Sequence, residues 1–217
     1  MFSKFTTELS KVYDFDIKFK NNSLFMKILG FIMFFNRGFM TDYITTIGNT
    51  IYFPNQEMLK DNEISNCEVL AHELRHIQQN KKYGLLYSLG YLFPQILVIF
   101  SLLGFFNLWF LLFLVFALPI PAIFRMIFER EGYKTTIFVL YIYLSQKNAN
   151  SDWVNSVINN NINFADQQFT SSAYYYMWPF GIKNYLSNEF IRIKNGDILS
   201  DYDGFYTNVR NAFLNSL

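Results

Sequence analysis

The chain has little with which to cross-link or charge itself. A single cysteine, Cys67, excludes an internal disulfide and agrees with a reducing compartment. Charged residues make up 16% of the 217 positions, and 18 basic against 17 acidic side chains leave a net charge of +1. So even a balance offers no electrostatic footprint for nucleic acid, which is not expected as a partner. No internal repeat, P-loop or glycine-rich dinucleotide signature is present. The first residues carry Lys4, Glu8, Lys11 and Asp14 before any apolar run, so a cleavable signal peptide is not expected there. Two absences are more informative. Only two histidines occur, and no charged residue at all occurs from Tyr83 to Phe124, 42 positions in a row.

The two histidines are four residues apart, in Ala71-His72-Glu73-Leu74-Arg75-His76. Positions i and i+4 of a helix lie on one face, so two imidazoles at this spacing can hold one zinc ion. The glutamate between them is then placed as general base on a zinc-bound water. The surroundings predict a helix from about Asn66 to about Lys81. Ser65 with Glu68 reads as a capping box, and Ile64 with Val69 as a hydrophobic staple. Lys81 and Lys82 complement the negative helix end, and Gly84 suits the stop. Arg75, Gln78, Gln79 and Asn80 are expected to face solvent.

A zinc site needs a third protein ligand, and no third histidine exists. Cys67 lies off the His72/His76 face and reads as a small buried residue. A carboxylate from a second helix remains, and Phe128-Glu129-Arg130-Glu131-Gly132 places two acids in an otherwise apolar helical stretch. Charge beside so much apolar surface is costly unless paired, and zinc is one such partner. Glu129 and Glu131 point about 200° apart on a helix, so only one can face a metal. The alternative is that both are solvated and pair with Arg125 or Arg130.

The arrangement of His72-Glu73-x-x-His76, a long apolar insert, and Glu129-x-Glu131-Gly132 resembles the gluzincin metallopeptidases. The pattern is similar to that of the membrane CAAX prenyl protease and its bacterial heat-shock relatives, in which membrane helices separate HExxH from an E-x-E-A-D segment. The resemblance covers residues 65–135 and implies Glu129 as the third ligand. The family's aspartate falls at Tyr133, so the group that normally orients a ligating histidine is missing. Gly132 in place of alanine reads as a minor change. Upstream, Thr45 to Pro54 resembles the segment ahead of HExxH in small phage and bacterial zincin-like proteins.

A helix needs about 20 apolar residues to cross a bilayer. The charge-free stretch divides near Gly104-Phe105-Phe106-Asn107 into Leu85 to about Leu103 and about Leu108 to Phe124. Each half is long enough to span, with Pro94, Pro119 and Pro121 as kinks, and a hairpin would bring Glu129 back to the side of His72 and His76. Trp109 and the tyrosines at 83, 87 and 91 suit membrane interfaces, and Lys81, Lys82, Arg125 and Arg130 on the histidine side predict a cytoplasmic catalytic face of a multi-pass protein.

Elsewhere, Leu24 to Met40 reads as an amphipathic or membrane-surface helix. Thr45 to Tyr52 reads as a β-hairpin turning at Gly48-Asn49, whose strand suits pairing with a substrate backbone. After Gly132 a helix resumes over Thr135 to Ser145, 148–163 form a short helix between loops, and 181–194 and 203–214 form polar helices. In the aromatic block Tyr174 to Phe180, a hydroxyl is a candidate oxyanion donor, with packing as its simpler role.

The fold class expected is mainly α with a small β-hairpin. It would be one zincin-like domain over residues 1–217 with residues 85–124 as an inserted apolar helical hairpin. The expected function is zinc-dependent peptide hydrolysis at a membrane face, on a peptide or protein substrate, with a lipid bilayer as partner. His72, His76 and Glu129 would bind the metal, Glu131 being the alternative third ligand, and Glu73 would act as base. Two other classes fit the same residues. One is an inactive zincin-like structural or assembly protein, of a virion for example, in an oligomer or larger assembly. The other is a membrane-binding or membrane-penetrating protein.

Overall fold

The computed structural model describes residues 1–32, 36, 38–171 and 178–217. Helices dominate. The chain runs α1 (Phe2–Ser10), β1 (Asp16–Phe19), α2 (Leu24–Ile32), β2 (Thr45–Ile47), β3 (Thr50–Phe53), α3 (Met58–Asp61), α4 (Glu63–Tyr83), α5 (Leu85–Leu92), α6 (Ile123–Gln146), α7 (Ser151–Thr170), α8 (Ile182–Asn195) and α9 (Phe205–Ser216). The expected class, mainly α with a small β element, is what forms.

The core lies between α4 and α6, with α7, α8 and α9 packed on α6 and α1 bridging α9 to α4. Leu70, Leu74 and Ile77 of α4 meet Ile137 and Phe138 of α6 in one apolar cluster. The long α6 runs straight through Gly132, where a break and resumption were expected. The asparagine-rich stretch also forms more helix than expected. Val154, Ile158, Ile162, Ala165 and Phe169 recur at helical spacing and are all buried, so α7 extends over 20 residues. A buried apolar stripe outweighs the weak helix propensity of asparagine.

The hairpin at 45–53 forms as read. Thr46 lies opposite Ile51, and Gly48 turns the chain at φ 61°, a conformation that favours glycine. A third strand was missed. β1 joins β3 in parallel, Asp16 beside Thr50 and Phe19 beside Phe53, giving the order β1-β3-β2. Its four residues have no fully buried face, so the pattern in the sequence is faint.

Lys20, in a short turn after β1, is buried. Its Nζ donates to the carbonyls of Phe39 and Tyr43 at 2.6 and 2.7 Å and lies over the Phe39 ring. Burial pushes its pKa down to about 8. The ammonium thus ties the end of β1 to the entry of β2. Lys20→Met is expected to destabilise the fold, since each carbonyl left buried and unpaired costs about 1–3 kcal/mol. A urea midpoint equal to that of the parent chain would show that the tie contributes nothing.

Of the segment expected as a surface helix at 24–40, α2 covers Leu24–Ile32; residues 33–35 and 37 lie outside the described residues. Leu24, Phe25, Ile28, Phe31 and Ile32 of α2 are exposed, and only Met26 is buried.

The apolar insert departs from two long helices. Helix α5 ends at Leu92, before Phe93 and Pro94. Two 3₁₀ arms follow, Gln95–Phe105 and Leu108–Ala117, packed side by side. Proline removes a donor and disfavours helical backbone in the residue before it, and Phe93 is accordingly extended, at ψ 140°. Among the described residues no single helix is long and apolar enough to cross a membrane. Helix α5 and the first arm have the length and composition together, but they bend by 79° at their junction.

Candidate metal centre

Helix α4 carries the paired histidines, and its start differs from the capping box expected at Ser65. Asn62 is the N-cap. Its backbone is extended, and its side chain accepts from the Ser65 amide at 3.2 Å. Ser65 is already inside the helix, so α4 begins most of a turn earlier than predicted. The far end is as read, with Lys81 and Lys82 in the last turn and Gly84 at φ 56°.

His72 and His76 stand one turn apart with ring centroids 4.9 Å from each other. Facing them from α6 is Glu129, which is only 2% exposed. Its Oε2 lies 3.3 Å from His72 Nε2 and its Oε1 3.6 Å from His76 Nε2. One ligand atom from each of the three lies within 4.8 Å of the others. Two imidazole nitrogens and a carboxylate, all buried, form the donor set of an open three-ligand zinc site, so the residues present fit that ion.

The opposite ring nitrogens are held from outside. His72 Nδ1 is 3.3 Å from the Thr136 hydroxyl. His76 Nδ1 is 2.9 Å from Gln79 Oε1, and Gln79 Nε2 donates onward to the Phe128 carbonyl. These contacts hold the outer nitrogens and leave both Nε2 atoms turned to Glu129, as outer partners of a ligating histidine do. Tyr133 instead sets its ring edge-on against His72, with centroids 5.1 Å apart. Gln79, expected in solvent, is therefore buried. Arg75, also expected in solvent, pairs with Asp203 at 2.6 Å.

Burial works against charge on His76, but the Glu129 carboxylate beside it prevails and raises its pKa to about 9. Burial likewise opposes charge on Glu129, yet His76 and His72 hold its carboxyl well below the usual range. The other oxygen contact of Glu129 is the Tyr91 hydroxyl of α5, which donates to Oε1.

Glu73 is half-buried on the adjacent face of α4. Its Oε2 accepts from the Thr46 hydroxyl at 2.7 Å. Strand β2 therefore fixes the rotamer of the candidate base, while β2 itself remains an outer strand of the sheet.

Glu131 is not brought to the histidines. It accepts from Lys134 at 2.8 Å, from the Tyr185 hydroxyl, and pairs with Arg75 at 3.5 Å. It is neither solvated nor paired with Arg125 or Arg130, the partners weighed from sequence. Arg125 donates to the Tyr91 carbonyl, and Arg130 lies over the Tyr185 ring. A cavity of about 590 Å³ opens on this reverse side of α4, lined by Arg75, Gln78, Lys82, Tyr83, Glu131 and Asp203 among others. It is set apart from the candidate metal centre, for none of His72, His76 and Glu129 lines it. Cys67 is buried, and burial pushes its thiol up to about 12, as suits a packing residue. Tyr174, Tyr175 and Tyr176, the oxyanion candidates, lie outside the described residues.

Gly132 is the residue whose weight sequence reading underestimated. A Cβ there would stand 2.5 Å from His72 Nε2 and 2.6 Å from Cε1. An alanine has room only if the imidazole moves. Gly132→Ala is expected to weaken zinc binding on the scale of an outer-shell loss, roughly 10–100-fold. Competition with a chromophoric chelator measures it, and unchanged affinity would show that the ring shifts at no cost.

Of the neighbours of the cluster, Thr136 was not singled out from sequence, and Thr46, Gln79, Tyr91 and Gly132 were given other roles there. Gln79 follows His76 by three residues, and Thr136 follows Glu129 by seven. Both spacings put a residue on the face of its ligand, so helical periodicity held the signal. Tyr91 and Thr46 come from other elements and left none.

A protein-family model described as the eCIS core domain matches residues 44–84. That span holds β2, β3, α3 and α4, hence His72, Glu73, His76 and Thr46, and it stops where the apolar insert begins. No curated protein and no solved structure matches the chain.

Proposed function

We propose that this chain is a zinc-dependent metallopeptidase acting at a membrane face, on its cytoplasmic side. The observation that carries the reading is the convergence of His72, His76 and Glu129, with Glu73 anchored beside them. His72 and His76 Nε2 and the Glu129 carboxylate would hold the ion. Bound zinc would supply Lewis-acid polarisation of a scissile carbonyl and increased acidity of water. Glu73 takes the proton from the attacking water and returns it to the leaving amine. Thr46 donates to one carboxylate oxygen of Glu73, which leaves the other for that proton. A peptide backbone laid along β2 would add a strand to the sheet and pass Glu73.

A second reading draws on the eCIS core domain match, which points to a component of a contractile injection apparatus, a larger assembly. In that case the cluster is a remnant or a purely structural metal site. One experiment separates the two. The purified chain is expected to carry zinc near one equivalent, and to cleave an unstructured protein. Chelation should stop the cleavage and lower the melting temperature, because the binding energy of a metal held only by the folded state is folding energy. Absence of stoichiometric zinc, or zinc with no cleavage, favours the assembly component.

A further inference from the structure

We propose that α5 and the two apolar arms dock the molecule into one leaflet of a lipid bilayer, entering it without crossing. This deepens the membrane part of the function proposed above. The first argument is exposure on every side. In the second arm Phe110, Phe113 and Phe116 recur every third residue, make ring contacts in succession and meet the first arm through Phe100. The residues between them, Leu111, Leu112, Leu114 and Val115, are all exposed. A 3₁₀ helix has three residues per turn, so two positions of each turn face outward. A partner protein covers one face of such a projection, whereas lipid covers it all round.

The tip argues for entry rather than crossing. Phe105 is 92% exposed, Phe106 81%, and Leu108 and Trp109 each 76%. Gly104 lets the arms close there, for a Cβ would meet the Leu111 side chain at 2.5 Å. The one polar side chain at the tip, Asn107, is turned back to cap the Trp109 amide. A tip meant for the opposite headgroups would be polar. The reach agrees. Ten to eleven 3₁₀ residues extend about 20 Å at about 2 Å each, enough for one leaflet of a hydrocarbon core about 30 Å thick but short of its far side.

The bend sets the orientation. With the first arm turned 79° from α5, an arm dipping into the leaflet leaves α5 lying along its surface. Leu85, Leu86, Leu89 and Leu92 are the exposed side of α5, while Tyr87 and Tyr91 turn inward against His76. Lys81 and Lys82 are exposed just before the apolar face, and no acid follows until Glu129, which complements anionic headgroups. The metal cluster then sits about one helix diameter, roughly 10 Å, above the lipid. The substrate class this favours is a polypeptide segment at the membrane surface.

The test uses the full chain and vesicles of phosphatidylcholine with phosphatidylglycerol. Cys67 is buried, so an environment-sensitive dye can be placed selectively at Phe106→Cys. The chain is expected to float with the vesicles, the dye to shift to the blue and to be quenched by acyl-chain nitroxides. A quencher sealed in the vesicle lumen should leave it untouched. Quenching from the lumen would overturn single-leaflet entry, and failure to float would overturn lipid as the occupant. The double variant Phe105→Asp with Trp109→Asp lies far from the core, so its fold and zinc content are expected to be unchanged. Its partition should fall roughly a hundredfold, each lost apolar transfer being worth at least about tenfold. Undiminished partition would also defeat the proposal. Zinc content and hydrolysis by the parent chain in detergent report on the catalytic reading separately.

Discussion

Glu73→Gln is expected to lower hydrolysis of an unstructured protein by about 10²–10⁴-fold, the usual contribution of a positioned general base. Zinc content should stay that of the parent chain. The amide has the shape of the carboxylate and keeps an oxygen for the Thr46 hydroxyl, now 2.7 Å away, so α4 and β2 need not move. What is lost is the group that accepts a proton. The histidines that would hold the ion face Glu129 rather than Glu73, so the variant separates metal binding from chemistry. Turnover retained with full zinc occupancy would sink the proposed role of Glu73. Loss of zinc along with turnover would mean that Glu73 is a ligand.

Glu129→Gln and Glu131→Gln are expected to fail in opposite ways. Glu129 closes the donor set, and its replacement should reduce zinc affinity by more than the roughly 10–100-fold typical of an outer-shell partner. Glu131 faces away from the histidines, where its carboxylate answers Lys134 and Arg75. Lys134 has only 5% of its side chain exposed. Removing the acid leaves Lys134 with Glu189 alone, at 3.6 Å, while Arg75 keeps Asp203, so the cost should be below the about 3–5 kcal/mol of a buried pair broken outright. That variant should therefore keep its zinc and unfold at lower urea. Equal zinc retention by the two variants would remove Glu129 from the site.

Much of this was legible in the sequence because it is local. The spacing of His72 and His76 and the charge-free run from Tyr83 to Phe124 need no partner to be recognised. The Gly48-Asn49 turn announced the β2–β3 hairpin in the same way. Readings failed where a second element decides. Ser65 and Glu68 satisfy a capping pattern, but Asn62 stands one turn ahead in extended backbone and takes the cap. Gln79 and Arg75 look like surface residues until α6 and the turn before α9 are packed over them. Gly132 looks interchangeable with alanine until the His72 ring lies where a methyl group would be. The apolar insert has the composition of two spans, but composition does not set helix type. Proline at 94 and arm-against-arm packing gave short 3₁₀ arms and a sharp bend instead.

By itself the sequence determined a pair of histidines on one helix face, the glutamate beside the first, a mainly α chain with one hairpin, and a long apolar stretch without charge. It also required that only one of Glu129 and Glu131 face a metal, since two residues along a helix turn the side chain to the other side. The tertiary structure alone decided which one. Packing α6 on α4 turns Glu129 toward His72 and His76 and Glu131 toward Lys134 and Arg75. It also set Thr136 and Gln79 against the outer nitrogens of His72 and His76, and the Tyr91 hydroxyl against Glu129. Hydrogen bonds between elements depend on how helices dock, and helical periodicity fixes a face but not the neighbour that meets it.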